Sequence, residues 1–405
     1  MTFGEQIGLE DLERDPYPIY ARLRDEEPVS WVPAVQLWLV TRYEDVRTVD
    51  LSPDVFTAAT EPSTLNRTMG VNMLGSEGPE QERVRRVVEP PFRPRDVEER
   101  TKGMIPALAN ELIDGVEARG ECDLFREFAD PMSVRSLRFM LGLDEVAWED
   151  LLRWNQGLMI GLANFEGDPA KQGPADEASD ALSEVIERVL DRLAAEPDGS
   201  VLSWMLHHDR GGARMTRNEI VANTKLMLSG GLQEPRDLIA LVVHALGSNP
   251  EQLEEVRADR RLVKRAVEET LRWAGPVGTS TRQTTETTEL AGVKLEDGAL
   301  IGAVLSSANR DPAGSPTPIG STSTARRAPI SRSPSVTTSA WGRGSDVTSR
   351  ACRSRSCSTA CQDFGSTPIG PRHSPDGSSS TRLDLGALGS SLSVGWVAWR
   401  VSSAR

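Results

Sequence analysis

Two charged residues one helical turn apart are the first candidates for chemistry in this sequence. Glu269 and Arg272 lie on a predicted helix of residues 260–273, and their spacing turns both side chains to one face, where they can form an ion pair. Most pairs of this kind are solvated surface contacts that contribute less than about 1 kcal/mol. The pair alone therefore does not identify a functional site.

A long helix that is interrupted in its middle is predicted upstream of this pair. Thr216 and Glu219 have the spacing of a capping box, and apolar residues follow at helical spacing as far as Leu246. Such a helix has roughly 30 residues, which is long for a globular protein. Pro235 lacks an N–H donor and crowds the preceding turn, so we expect the helix to be deformed there.

The elements around these residues predict a mainly α fold with a small β region. Residues 29–43 alternate as a β-hairpin does, and residues 277–305 form a β-rich stretch. Four further segments show apolar residues at helical spacing with charged opposite faces: residues 79–89, 104–118, 144–161 and 176–195. No linker separates these segments, so we predict one domain over residues 1–312.

The composition of the chain changes after Pro312. Residues 313–405 contain 22 Ser, 11 Arg and 4 Asp but no Lys or Glu, which gives them a formal charge of +7, whereas the first 312 residues carry −21. Small and basic residues without apolar periodicity cannot offset the entropy of ordering the chain. We therefore expect residues 313–405 to be an Arg/Ser-rich tail that is largely disordered.

Charge and cysteine content exclude several classes of function. A net charge of −14 and a pI near 5.0 disfavour nucleic acid or an anionic membrane as the main partner. No apolar run is long enough to cross a bilayer, and the first residues lack a secretion signal, so we expect a cytoplasmic protein. Only Cys122 precedes the tail, and the spacing of Cys352, Cys357 and Cys361 matches no common zinc site. We predict neither a disulfide framework nor a protein-ligated metal ion.

Taken together in chain order, the motifs of residues 10–312 resemble those of the bacterial cytochrome P450 family, the haem-thiolate monooxygenases. Their combined order and spacing is more specific than any single motif. The resemblance implies the fold of that family, a haem b cofactor, a small organic substrate and a ferredoxin-type electron donor. The motifs are Gln81-x-x-x-Arg85, the interrupted helix, Glu269-Thr270-Leu271-Arg272-Trp273, Arg282 and Ala308-Asn309-Arg310-Asp311-Pro312.

The resemblance also assigns roles to five of these residues. Glu269 and Arg272 would form a buried ion pair behind the haem, and the third partner of the guanidinium would fall in the tail. Arg85 and Arg282 match positions whose guanidiniums bind the haem propionates through charge-assisted hydrogen bonds. Gln81 stands where the family usually has His, and its amide can still donate one hydrogen bond.

The centre of the long helix departs from the family pattern. Gln233 and Glu234 occupy the positions at which relatives place an acid and a threonine for proton delivery. Glu234 could relay protons itself if burial raises its pKa, and the alternative is a structural carboxylate paired with Arg236 or a more distant cation. Gly230 and Gly231, which have no side chains, would let the helix backbone approach a flat cofactor.

The cysteine that binds the haem iron in this family is absent. The motif Phe-x-x-Gly-x-x-x-Cys-x-Gly is expected about thirty residues after Asn309-Arg310-Asp311-Pro312, because a thiolate must reach the iron there. Residues 330–342 contain no Cys. The resemblance therefore implies a haem site that lacks its axial ligand.

A shifted reading frame permits that motif. In that frame each new codon consists of the last base of one present codon and the first two bases of the next. The genetic code then permits the four motif residues at the spacing of the family motif: Phe at Ser333, Gly at Val336, Cys at Ala340 and Gly at Gly342. Residues 314–322 likewise permit the usual continuation of the family sequence in this frame. We hypothesise a frame slip at or just after Pro312.

Two functions follow from these observations. The first is a haem-dependent monooxygenase that inserts one oxygen atom of O₂ into a small organic substrate. The second is a non-functional chain that folds in part and holds no thiolate-ligated haem. By resemblance, a substrate pocket would be built from the regions around residues 60–75, 156–166 and 224–235.

Overall fold

The computed structural model describes residues 1–164, 167–209 and 211–314, together with the backbone of residues 382–384. The prediction of a mainly α fold with a small β region is confirmed. Fifteen α-helices run through the described residues: α1 (Leu9–Arg14), α2 (Pro16–Glu26), α3 (Tyr43–Leu51), α4 (Thr64–Met69), α5 (Gly78–Val88), α6 (Pro94–Thr101), α7 (Met104–Glu117), α8 (Asp130–Leu141), α9 (Trp148–Leu162), α10 (Pro169–Ala195), α11 (Val201–His207), α12 (Arg217–Gly247), α13 (Pro250–Ala258), α14 (Val263–Ala274) and α15 (Leu305–Ala308).

The β region is built around one five-stranded sheet of order β1-β2-β8-β5-β3. Its first two strands form the predicted hairpin, with Trp31 opposite Trp38. Strand β2 then pairs in parallel with β8, which aligns Trp38 with Ile301. The strands in the described residues are β1 (Val29–Val32), β2 (Leu37–Val40), β3 (Phe56–Thr57), β4 (Glu121–Asp123), β5 (Ser280–Thr284), β6 (Thr288–Leu290), β7 (Val293–Leu295), β8 (Leu300–Ala303) and β9 (Arg382–Asp384).

One described strand lies in the region that we expect to be disordered. The backbone of β9 pairs antiparallel with β4, so that position 383 stands opposite Cys122. The remaining tail residues from 315 onwards, including Cys352 and the positions that would hold the shifted motif, lie outside the described residues.

Helix α12 runs through the centre of the helical layer. It packs against α8, α9, α10 and α14, and its first half contributes Ile220, Leu226, Met227, Leu228 and Leu232 to the largest apolar core. Because this half is buried on most sides, the helix is held by tertiary packing rather than by local propensity.

The capping box predicts the start of α12 correctly. Thr216 is the N-cap, its hydroxyl accepts a hydrogen bond from the Glu219 N–H, and the Glu219 carboxylate accepts one from the Thr216 N–H in return. The helix continues without interruption past Pro235 to Gly247. The prediction of one helix of roughly 30 residues is therefore confirmed, and the deformation expected at Pro235 stays a prediction.

Ser133 on α8 compensates for the proline in α12. An α-helical N–H at position 235 would bond the carbonyl of Gly231, and proline has no such donor. The Ser133 hydroxyl lies 3.3 Å from the Gly231 oxygen and donates at 2.6 Å to the Leu232 oxygen. The centre of α12 is therefore tied to α8 by a side chain.

Two helix boundaries differ from those predicted. Helix α9 begins at Trp148 rather than near residue 144, because Gly142 ends α8 in the left-handed conformation, with φ of +81°, and a turn follows. Helix α10 begins at Pro169, earlier than predicted, because the Asp168 side chain accepts a hydrogen bond from Ala170 N–H at its N-terminus.

Candidate functional site

Glu269 and Arg272 form a largely buried ion pair on α14. Arg272 donates from Nε to Oε2 of Glu269 at 2.9 Å and from Nη2 to Oε1 at 2.5 Å, and the two side chains are only 10% and 17% exposed. The Nη1 of Arg272 donates to the Asn309 carbonyl at 2.7 Å. The described residues thus supply a third partner from within residues 1–312. This geometry is a bidentate buried pair and differs from a solvated surface contact.

The motif around Asn309 packs against the same helix, α14. Arg310 donates from Nε to the Trp273 carbonyl at 2.8 Å, and its guanidinium lies 3.2 Å from the ring centre of Tyr17. Burial lowers the pKa of Arg310. Asp311 accepts a hydrogen bond from the Tyr43 N–H at 2.8 Å. The motif therefore fastens α14 to α2 and α3.

Arg282 on β5 lies beside an acid that the sequence did not indicate. Its Nη2 donates to Oδ1 of Asp50 on α3 at 3.3 Å, with the side chains 7% and 4% exposed. Burial raises the pKa of Asp50, and the Arg282 charge opposes that shift. No local pattern marks Asp50, because its partner is 232 residues away.

Gln81 and Arg85 lie one turn apart on α5. The Gln81 amide donates from Nε2 to the Met73 carbonyl at 3.1 Å, and Arg85 donates from Nε to Oε2 of Glu89 at 3.2 Å. Arg85 and Arg282 therefore each bind a carboxylate of the protein. A haem propionate would have to share or replace those contacts.

Glu234 is a partly buried carboxyl group in the second half of α12. Burial raises its pKa to about 7, and the nearby Asp237 carboxylate contributes to the same shift. A Cβ at Gly230 would lie only 3.4 Å from Oε1 of Glu234, so the missing side chain leaves room for this carboxyl group. Because its pKa is near neutrality, Glu234 can hold or release a proton at physiological pH.

Arg236 does not pair with Glu234. It donates from Nε to Asp237 at 3.0 Å and from Nη1 to Asp130 at 3.5 Å, and it stacks on the Phe125 ring at 4.4 Å. In the part of the chain that the structure describes, no ion pair forms with Glu234. The alternative of a structural pair with Arg236 is therefore wrong.

Gln233 stands between these charges. Its side chain lowers the pKa of the neighbouring Asp237 against the larger effect of burial. Its Oε1 is buried and has no hydrogen-bond partner among the described residues. Gln233, Glu234 and Asp237 are thus brought together on one side of α12, next to Gly230.

The described residues contain one cysteine whose thiol could be considered for haem iron. Cys122 lies on β4 in an apolar cluster with Ile105, Leu108 and Phe128. Burial and two nearby acids raise its pKa to about 11, so the thiolate is disfavoured. The described residues therefore do not fit a thiolate-ligated haem, although they include contacts that its edge could use.

Two other kinds of site are absent from the described residues. No group of three or more His, Cys, Asp or Glu side chains there could hold a metal ion. None of the described helices has the length and apolarity needed to cross a membrane.

Comparison with known proteins identifies relatives of this chain, although no protein-family model matches it. Cytochrome P450 107B1 of Saccharopolyspora erythraea is 30% identical over 333 residues, which cover 77% of this chain and 80% of that protein. The cytochrome P450 monooxygenase PikC of Streptomyces venezuelae is 31% identical over 320 residues, which cover 76% of this chain and 75% of that protein.

A solved structure shows the same fold. The crystal structure of CalO2 matches with a TM-score of 0.69 and 29% identity, and the match covers 75% of this chain and 77% of that one. The fold implied by the sequence motifs is thereby confirmed.

Proposed function

This chain belongs to the cytochrome P450 family, and we propose that residues 1–312 form the body of a haem-dependent monooxygenase. The reaction would insert one oxygen atom of O₂ into a small organic substrate, and a ferredoxin-type protein would supply the electrons. Haem, when bound, supplies the chemistry that activates oxygen.

One observation carries this proposal: the Glu234 carboxyl group lies next to Gly230 at the proline-containing centre of α12, where burial raises its pKa to about 7. We assign to Glu234 the transfer of protons, since a group that titrates near the working pH can both accept and donate. Gln233 acts beside it, because its amide lowers the pKa of Asp237, the next acid on the helix. Gly230 and Gly231 keep this part of the helix accessible to a flat cofactor.

The remaining residues of the resemblance support the body of the site. Glu269 and Arg272 form the structural ion pair. We propose Gln81, Arg85 and Arg282 as contacts for the haem edge once an iron ligand is supplied. Asp50 then holds Arg282 in place and balances its charge.

A second candidate function is a non-functional chain, and a specific observation favours it for the polypeptide as it is written. Cys122 is buried in an apolar cluster with a pKa of about 11, and the ligand motif of the family is missing from residues 330–342. The proposed frame slip at or just after Pro312 would account for the missing motif.

Absorption spectroscopy separates the two candidates. The full chain would be purified, supplied with haem, reduced and exposed to carbon monoxide, since a thiolate-ligated haem then gives a characteristic red-shifted band. The matched control is the same gene with its reading frame restored after codon 312. We expect the band in the frame-restored protein and not in the chain as written. A band in both would refute the non-functional chain, and a band in neither would refute the haem assignment.

Sequencing the coding DNA tests the frame slip independently. The hypothesis requires a cysteine triplet in the shifted frame opposite Ala340. A gene without that triplet would contradict it.

A further inference from the structure

A cavity of about 620 Å³ lies between α4, the segment of residues 70–76, α10 and the first half of α12. It adjoins two of the regions that the sequence assigns to a substrate pocket, around residues 60–75 and 224–235. Its apolar lining includes Met69, Val71 and Val221. A ligand in this cavity can therefore have an apolar body.

Lys225 is the buried charged group of this lining. The residue is 5% exposed, and its Nζ donates to Oγ of Ser179 on α10 at 2.7 Å. That hydroxyl uses its own hydrogen to bond the Thr68 carbonyl, also at 2.7 Å. Ser179 thus fixes the position of the ammonium group without neutralising it.

The ammonium group of Lys225 has hydrogen-bonding capacity left over. It carries three N–H donors, and among the described residues only Ser179 accepts from it. Asp180 acts on Lys225 through its charge but forms no ion pair with it within the described residues. Burial lowers the pKa of Lys225, because a charged amine is costly without a carboxylate partner.

The acids that line the cavity are each bound by an arginine, and each of these arginines is shared between two acids. Glu80 and Glu219 both bind Arg83, and Glu187 shares Arg217 with Asp191. Two cations of the lining have no such ion pair within the described part of the chain. These are Lys225 and the exposed Arg67, for which no carboxylate partner occurs among the described residues.

Other polar groups of the lining are bound within the protein. The Asn223 side chain accepts from the Met73 N–H and donates to the Glu219 carbonyl, and the Ser183 hydroxyl donates to the Ser179 carbonyl. The lining donors without a full set of partners among the described residues include those of the two cations and the Thr68 hydroxyl. A buried ammonium held in place with free donors is suited to recognise an anionic group.

We propose that this cavity binds an organic anion, with its carboxylate held by Lys225 and its apolar body against Met69 and Val221. Arg67 at the exposed side attracts the anion. This binding proposal rests on the proposed function only if the anion is also the substrate of the monooxygenase.

Calorimetry on the full chain tests the proposal with decanoate as the probe and decan-1-ol as its neutral counterpart. Decanoate should bind at least about 10-fold more tightly than decan-1-ol. The variant K225M should lose at least about 10-fold in decanoate affinity and bind the alcohol unchanged, because it removes the ammonium group and keeps the apolar stem. The control K102M changes a lysine on the surface at the end of α6 and should have no effect.

Three outcomes would overturn the proposal. They are equal binding of decanoate and decan-1-ol, unchanged decanoate binding by K225M, and binding of inorganic phosphate as tightly as decanoate, which would show that the apolar body is not recognised. Circular dichroism checks that K225M is folded. If it is not, S179A replaces it, because loss of the hydroxyl that positions the ammonium should weaken decanoate binding several-fold, and unchanged binding would contradict the proposal.

Failure of this experiment is distinguishable from failure of the proposed function. Calorimetry reads binding without haem or an electron donor. The absorption band of the reduced protein with carbon monoxide detects the thiolate ligand of the haem and needs no substrate.

Discussion

Arg282 and Asp50 form an ion pair at 3.3 Å although 232 residues separate them in the chain. The pair joins β5 of the sheet to the last turn of α3. Both side chains are almost fully buried, so neither charge can be solvated well if its partner is removed. The pair therefore holds an arginine that we assign to the haem edge and also links two distant parts of the fold.

Removal of the carboxylate from this pair should destabilise the protein. We expect D50A to lower the free energy of unfolding by about 3 kcal/mol, because it leaves a buried guanidinium without its carboxylate. Urea denaturation followed by circular dichroism measures the change. The control R261A breaks a pair with Asp259 in which the arginine is 91% exposed, and it should cost less than about 1 kcal/mol. Equal losses in the two variants would contradict the interpretation.

The raised pKa of Glu234 should make stability depend on pH. The native carboxyl group holds a proton up to about pH 7, whereas the unfolded group releases it near its ordinary pKa of 4.5. Stability of the parent should therefore fall as the pH rises between these two values. In E234Q that contribution is absent. The free energy of unfolding of E234Q relative to the parent should therefore rise by about 3 kcal/mol as the pH rises from about 4.5 to about 8.

Urea denaturation at about pH 5 and about pH 8 measures this difference for Glu234. The exposed Glu184 on α10 provides a matched control, since E184Q changes the same functional group without burial. A difference between E234Q and the parent that stays constant with pH would show that the carboxyl group is not perturbed.

Cys122 should be unreactive in the folded protein. With a pKa of about 11, only about one molecule in a thousand carries the thiolate at pH 8, and the side chain is also buried. Treatment with iodoacetamide followed by peptide mass spectrometry should find Cys122 unmodified in buffer and modified in urea. Rapid modification in buffer would show that the thiol is accessible, and it would weaken the case against Cys122 as a ligand.

A methyl group at Gly142 should be poorly tolerated. The backbone there has φ of +81°, and a Cβ would lie 2.4 Å from the Cβ of Ser200. We expect G142A to cost about 3 kcal/mol from left-handed strain and the steric clash together. The control G115A is on the exposed side of α7, where nothing lies within 4 Å, and it should stabilise the protein by up to about 1 kcal/mol. Thermal unfolding distinguishes the opposite signs.

Local sequence predicted those features whose causes are local. The Thr216 capping box fixed the start of α12, and the spacing of Glu269 and Arg272 placed both on one helix face. The pair of Arg282 with Asp50 could not be predicted in this way, because no periodicity connects a strand residue with a helix residue so far away. For the same reason the contact between Arg272 and the Asn309 carbonyl became visible only in the fold.

The burial of Glu234 and Lys225 is a further property that sequence pattern could not supply. Both are charged residues on a helix whose surroundings come from several other elements. Their pKa shifts arise mainly from desolvation, which depends on the neighbours packed around them. Chemical roles for them can be weighed only after those neighbours are known.

The parallel pairing of β2 with β8 has a consequence for biosynthesis. Trp38 emerges from the ribosome long before Ile301, its partner across the strands. At typical translation rates the interval is on the order of tens of seconds, during which the nascent hairpin presents an unpaired edge. The newly made polypeptide should therefore depend on chaperone protection until its third strand arrives.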